Sequence, residues 1–201
     1  MGVLVKLGNA AEITTGAINN LYDKEPSDGS SSIRLLAGSA ITDEGVVNYG
    51  ELQQVWVKQG KDVSRFLLKN GDVVLLARGS AIRAGLINQA QDNQGLLASA
   101  NLMIIRPDHG KLYSEVLVSY LNSSLGQAKL SGISKGAVIK SVPASSLREL
   151  EIPVPLMEKQ EQIAALYHAG NEAHMAVMAL AMQQKSAIDA KILNLLHQGE
   201  L

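Results

Sequence analysis

At 201 residues the chain is long enough to bury a substantial core in one domain, with or without an appendage. Its 46% hydrophobic and 18% charged composition is that of an ordinary folded protein, and the absence of cysteine excludes disulfides, thiolate metal sites and cysteine nucleophiles. Aromatics, at 3%, are too few for a protein that stacks single-stranded bases on rows of rings, and the net charge of −1 argues against strong nonspecific nucleic-acid binding.

In chain order, Val3-Leu4-Val5 opens as a short apolar segment, Ala10 to Thr15 reads as a helical turn or short strand, and residues 19–32 form a polar loop. Ile33 to Leu36 is an expected strand, and a strand or helix follows through Trp56. Lys69-Asn70-Gly71-Asp72 is a strong turn signal before the β-forming run Val73 to Ala77. Ala98 to Ile105 is expected to be one strand, stopped by Pro107-Asp108-His109-Gly110. Val116, Leu117, Tyr120 and Leu121 recur at helical spacing over Tyr113 to Leu121, and Asn122-Ser123-Ser124 interrupts or recaps that helix. Residues 131–141 read as a loop. Val142-Pro143 leads to a short helix capped near Ser145 or Ser146, and Leu150 to Val154 is a last strand. The domain is therefore α+β, and charge is unevenly spread along it: residues 53–148 hold twelve Lys or Arg against five Asp or Glu, a basic surface suited to phosphates.

Past Ile152-Pro153-Val154-Pro155 the composition changes. From Glu158 to Gln198 there is no proline and one glycine, Gly170, among strong helix formers. A helix of about 40 residues would run roughly 60 Å, longer than a domain of this size can cover. Ile163 and Val177 stand in one seven-residue column, Leu166 and Leu180 in a second, and Ala181, Ile188 and Leu195 in a third, so the apolar content forms one broad face. A partner helix is the simplest cover for that face; folding back on the domain is the competing arrangement. The expected division is residues 1–155 as a globular domain and 156–201 as a long helix that pairs as a coiled coil.

Catalytic and metal signatures are missing. His168 and His174 are six apart, which does not put them on one helix face as a metal pair, and His109 and His197 lie elsewhere. The stretch from Gly79 to Gly85 lacks the Gly-Lys-Ser/Thr of a phosphate loop. No catalytic set is found, so a binding role without cofactor or metal is favoured over an enzyme. No run approaches the roughly 18 apolar residues of a membrane span, and no signal peptide is evident, so a cytoplasmic protein is the expectation.

The ordered set of segments resembles the specificity subunit of type I restriction-modification systems. Leu7-Gly8 through Ala11-Glu12-Ile13-Thr14-Thr15-Gly16 is similar to its opening segment, and Lys69-Asn70-Gly71-Asp72-Val73-Val74-Leu75-Leu76 to its Gly-Asp strand. Ser99 to Pro107 is similar to a following strand, Tyr120-Leu121-Asn122-Ser123 with Gly126-Gln127 to an internal helix, and Gln160 with Ile163 to the start of the long helix. Lys159 stands where the family often has Glu before that glutamine. Family members usually carry two recognition domains and two long helices; this chain shows one of each, as a half-subunit would.

That resemblance implies a DNA target-recognition domain reading one half of a split site in double-stranded DNA. It implies a homodimer through an antiparallel helix pair, and delivery of DNA to a separate methyltransferase subunit and, in complexes that cut, a restriction subunit. The chain itself would neither methylate nor cut. Lys and Arg would hold phosphates while Arg, Asn, Gln and Ser read base edges. The candidates are Arg78, Ser80 and Arg83 after the Gly-Asp strand and Lys135 and Lys140 in the Gly-rich loop, with Ser99 and Asn101 beside them; Asn101 could equally pin a turn. A competing reading is a dimeric assembly or regulatory factor that binds the methyltransferase without reading DNA.

Overall fold

Val73 to Leu76 is buried along its whole length, and the domain is organised around it. A computed structural model describes residues 2–79, 81–89, 95–136 and 139–197. They form β1 (Val3–Lys6), β2 (Ala11–Thr15), β3 (Tyr22–Asp23), β4 (Ser31–Leu36), β5 (Gln53–Val57), β6 (Val73–Leu76), β7 (Arg78–Gly79), β8 (Arg83–Leu86), β9 (Leu96–Ala98) and β10 (Leu102–Pro107). Then come α1 (Ser114–Asn122), α2 (Ser124–Ile133), β11 (Lys140–Ser141), α3 (Ala144–Arg148), β12 (Glu151–Val154) and α4 (Met157–His197). The α+β class is as expected. Chain contacts divide the protein into two units, Met1–Ile163 and Ala164–Leu201.

The first unit holds two four-stranded sheets. One has the order β2-β10-β6-β8 and is antiparallel throughout; the other, β3-β5-β4-β9, has β4 and β9 parallel. Alternation along the strands sorts the core. Val74, Leu76, Leu102 and Ile104 from the first sheet meet Leu36, Leu96 and Ala98 from the second in a shared cluster. Ile33, Leu35 and Leu97 point to the opposite side, where they cluster with Tyr22, Val55 and Val57 of the same sheet and with Phe66. β9 is thus buried on both faces, which suits its uninterrupted apolar run, and so is the Leu35–Leu36 end of β4. The outer face of the first sheet is covered by α1, whose Val116, Leu117, Val118 and Leu121 are buried.

Several details differ from the sequence expectation: the stretch 19–32, read as a loop, contains β3 and the start of β4. The apolar stretch from Ala98 to Ile105 is two strands, because the chain crosses from one sheet to the other at a turn over Ser99, Ala100 and Asn101. Ser99 donates its N–H to Leu36 in one sheet, and Asn101 accepts from the Ala77 N–H at the end of the other. The short helix α3 is entered through Pro143, not Ser145 or Ser146: extended Pro143 offers its carbonyl to the Leu147 N–H, and both serines lie inside the helix. In the stretch 131–141 read as a loop, residues 131–133 close α2 and Lys140–Ser141 form β11, while 137 and 138 lie outside the described residues. As expected, Ser123 recaps the helix, accepting from Gly126 N–H at 3.1 Å; a Cβ on Gly126 would overlap the Tyr120 carbonyl, so glycine is required there.

Side chains fasten the frame at two points. Asp72, 1% exposed, accepts both Nε and Nη2 of Arg106 at 2.7 Å and the Lys69 N–H at 2.8 Å, while Gly71 takes the turn at φ +89°. Bidentate pairing with a carboxylate raises the Arg106 pKa further above its already high value. Asn122 exchanges two hydrogen bonds with Ala84 at 2.8 and 2.9 Å, substituting for a neighbouring strand beside β8.

In the second unit α4 continues to His197. Leu166, Val177, Leu180, Ile188 and Leu195 are each more than half exposed, and Ala181 is exposed as well. Ile163, at the end of the first unit, is partly buried.

Candidate nucleic-acid interface

Just past the buried β6, the chain emerges as β7 and meets β11 in a two-stranded ribbon, with Arg78 opposite Ser141 and Gly79 opposite Lys140. Ser141 is paired on its other side too: it exchanges both backbone hydrogen bonds with Lys135 at 2.8 Å. Arg78, Ser141 and Lys135 therefore stand abreast across three chain segments. Residues directly opposite one another in antiparallel pairs share a face, so these three side chains share one, and Lys140 points to the other. There its ammonium lies 3.4 Å from the Ser131 hydroxyl.

Asn101 joins the row from the β9–β10 turn. Its carbonyl accepts the N–H of Ala77, the residue before Arg78, at 3.0 Å, and its side chain is exposed. Arg78, Asn101, Ser141, Thr15 and Pro143 line a recess of about 200 Å³. Arg78 and Lys135 are exposed and make no ion pair among the described residues. Elsewhere Lys6, Lys58, Arg106 and Lys111 each hold a carboxylate within 4.0 Å.

The remaining sequence candidates divide differently. Arg83 is held by Asp43 at 2.6 Å and by the Ile41 carbonyl at 2.9 Å, and serves the fold at the end of β8. Ser99 is buried, and its hydroxyl has no hydrogen-bond partner among the described residues. Ser80 lies outside the described residues. The structure thus gathers Arg78, Asn101 and Lys135, leaves Lys140 on the reverse of the same ribbon, and keeps Arg83 and Ser99 apart. Ser141, at the centre of the row, escaped the sequence reading: its only local signal is a serine in a Gly-, Ser- and Lys-rich stretch.

Chemically, the row offers a guanidinium, an ammonium, a hydroxyl and an amide on one accessible surface. Cations of this kind suit phosphate oxygens, and the amide and hydroxyl suit base edges. Among the described residues no helix is long and apolar enough to cross a membrane.

No curated protein sequence matches the chain significantly. Solved structures do. One comes from work on complex assembly and conformational transition of the type I R-M system: 22% identity, TM-score 0.63, covering 92% of this chain and 46% of that one. The HsdS subunit from Thermoanaerobacter tengcongensis is similar at 18% identity and TM-score 0.56, over 87% of this chain and 38% of its own. The type I restriction-modification S subunit from M. genitalium matches at 17% identity and TM-score 0.50, over 86% and 39%. The chain therefore spans less than half the length of these solved chains, and at such identities the likeness establishes the fold. The family is carried by the sequence itself: residues 35–169, two thirds of the chain, match the Type I restriction modification DNA specificity domain. The chain belongs to that family of specificity, and not catalytic, domains.

Proposed function

We propose that this protein is a sequence-specific DNA-binding specificity subunit that reads one half of a bipartite duplex site. Residues 1–155 act as the reader and 156–201 as a spacer helix. Two copies pair through α4 and together present DNA, in the cytoplasm, to a separate methyltransferase subunit and, where one is present, a restriction subunit. The observation that carries the reading is the row of Arg78, Ser141 and Lys135 beside Asn101, with two cations that have no ion pair among the described residues. The exposed apolar residues of α4 support pairing, since a face bearing Leu166, Val177, Leu180, Ile188 and Leu195 gains from burial against a like helix. A two-fold pair matches an interrupted palindrome.

The test is selection of bound duplexes from a randomised pool, followed by titration of the winner. The expected winner is an interrupted palindrome bound on the order of 10³-fold more tightly than a scrambled duplex of equal length. Equal affinity for both sinks the reading. Light scattering tests the pairing separately: the wild-type chain should have the mass of a dimer, and Val177→Asp with Leu180→Asp that of a monomer. A monomeric wild type removes the helix pair from the proposal.

A further inference from the structure

Gln160 is the one residue of α4 that is fully buried, at 1% exposure, and one of few buried polar side chains among the described residues. Both ends of its amide are engaged. Oε1 accepts the Tyr113 N–H at 2.8 Å; Nε2 donates to the Lys111 carbonyl at 2.9 Å and to the Pro155 carbonyl at 2.9 Å, with the Met157 sulfur at 3.5 Å. Lys111 and Tyr113 lead directly into α1, whose N-cap residue is Tyr113. Pro155 is the last proline before α4. One side chain thus joins the first turn of the long helix to the segment that starts α1, and α1 in turn packs on the sheet containing β6 and β8. Both partners on the α1 side are backbone groups whose positions the fold fixes, and all four contacts lie within the first unit.

We propose that Gln160 is a positioning residue: it locks the first turn of α4 onto the recognition domain and thereby sets the span at which two such domains engage DNA. This rests on the bipartite reading above. A glutamine is suited to the task because it supplies an acceptor and a donor from one planar group, so it satisfies an amide and two carbonyls together. An apolar residue of similar length would fill the space and leave all three backbone groups without their partner. The helix origin could then turn or slide relative to α1, and the helix would carry that freedom to its far end.

The experiment measures binding to the selected duplex and to versions with its spacer lengthened or shortened by one or two base pairs, together with a duplex carrying a single half-site. The wild type should prefer one spacer by at least about tenfold over its neighbours, within the range that a mismatched base pair costs. Gln160→Met should bind the single half-site as the wild type does and spread its affinity over the spacer series to within about threefold, well under one mismatch. A second variant attacks the same lock from the other side. Tyr113 has φ −75°, which proline can adopt. Tyr113→Pro deletes the amide that Gln160 accepts and should broaden the spacer preference in the same way, whereas Tyr113→Ala should not. Unchanged spacer preference in Gln160→Met and Tyr113→Pro overturns the assignment, as does an equal loss on every duplex including the single half-site. Failure of the wild type to bind the single half-site selectively counts against the bipartite reading itself.

Discussion

The two ends of β6 use charge in opposite ways. At the entrance, Asp72 is buried and fully engaged, gripping Arg106 through two 2.7 Å hydrogen bonds and closing the Gly71 turn. At the exit, Arg78 stands exposed beside Ser141 and Lys135 without an ion pair among the described residues. One end fixes the strand and the other presents what the strand holds. The lesson is that a charged residue is informative through its partners: Arg106 and Arg78 are the same residue type, yet one is part of the frame and the other is available to a ligand.

The contrast can be broken by exchanging consequences. Asp72→Ala should have the largest effect on folding, about 3 kcal/mol in urea denaturation; this is the low end for a broken buried pair, because the Arg106 side chain keeps 32% of its exposure to water. A loss under about 1 kcal/mol would return this pair to the class of ordinary surface bridges. Arg78→Ala with Lys135→Ala should change stability by less than about 0.5 kcal/mol. The same double variant should weaken binding of every duplex, selected or scrambled, and make the salt dependence of log K shallower by about 1.8 on a single half-site and about 3.6 where a dimer holds both halves, roughly 0.9 for each phosphate contact. An unchanged slope would remove the row from the interface. Asn101→Ala should cost about 1–3 kcal/mol for each half-site of the selected duplex and nothing on a scrambled one, with the salt slope unaltered, as a base contact does. The smallest effect belongs to Lys140→Ala: on the reverse of the ribbon it should shift the slope less than Lys135→Ala does. Equal shifts would show that both faces of the ribbon meet DNA.

Much of the frame was legible in the sequence because its causes are local. The run Val73 to Ala77 behind a Gly-Asp turn gives β6, Ile33-Arg34-Leu35-Leu36 gives most of β4, and proline-free composition gives α4 to within a residue at its start. What escaped was set by contacts between distant segments. β8 was missed because Arg-Ala-Gly-Leu has weak strand preference; it is a strand because β6 pairs with it on one side and the Asn122 amide holds Ala84 on the other. The turn at Ser99 to Asn101 was signalled by Asn101 alone, because the apolar runs on either side merge into one pattern. The site was only half legible for the same reason. Arg78 and Lys135 could be named as basic residues in a basic region, but their alignment across Ser141 arises from pairing between β7, β11 and the segment before it. Arg83 carried the same sequence signal as Arg78, and Asp43 with Ile41 claims it.

The pairing of β1 with β12 has a practical corollary alongside Gln160. Val3 to Lys6 zips onto Glu151 to Val154, and Gln160 reaches back to Lys111 and Tyr113. A chimera that swaps one reader for another by cutting at the Pro153–Pro155 kink would graft a domain lacking its own fastener and give it a foreign one. The natural seam for exchange lies a turn or two inside α4, after Ile163, so that reader and fastener travel together.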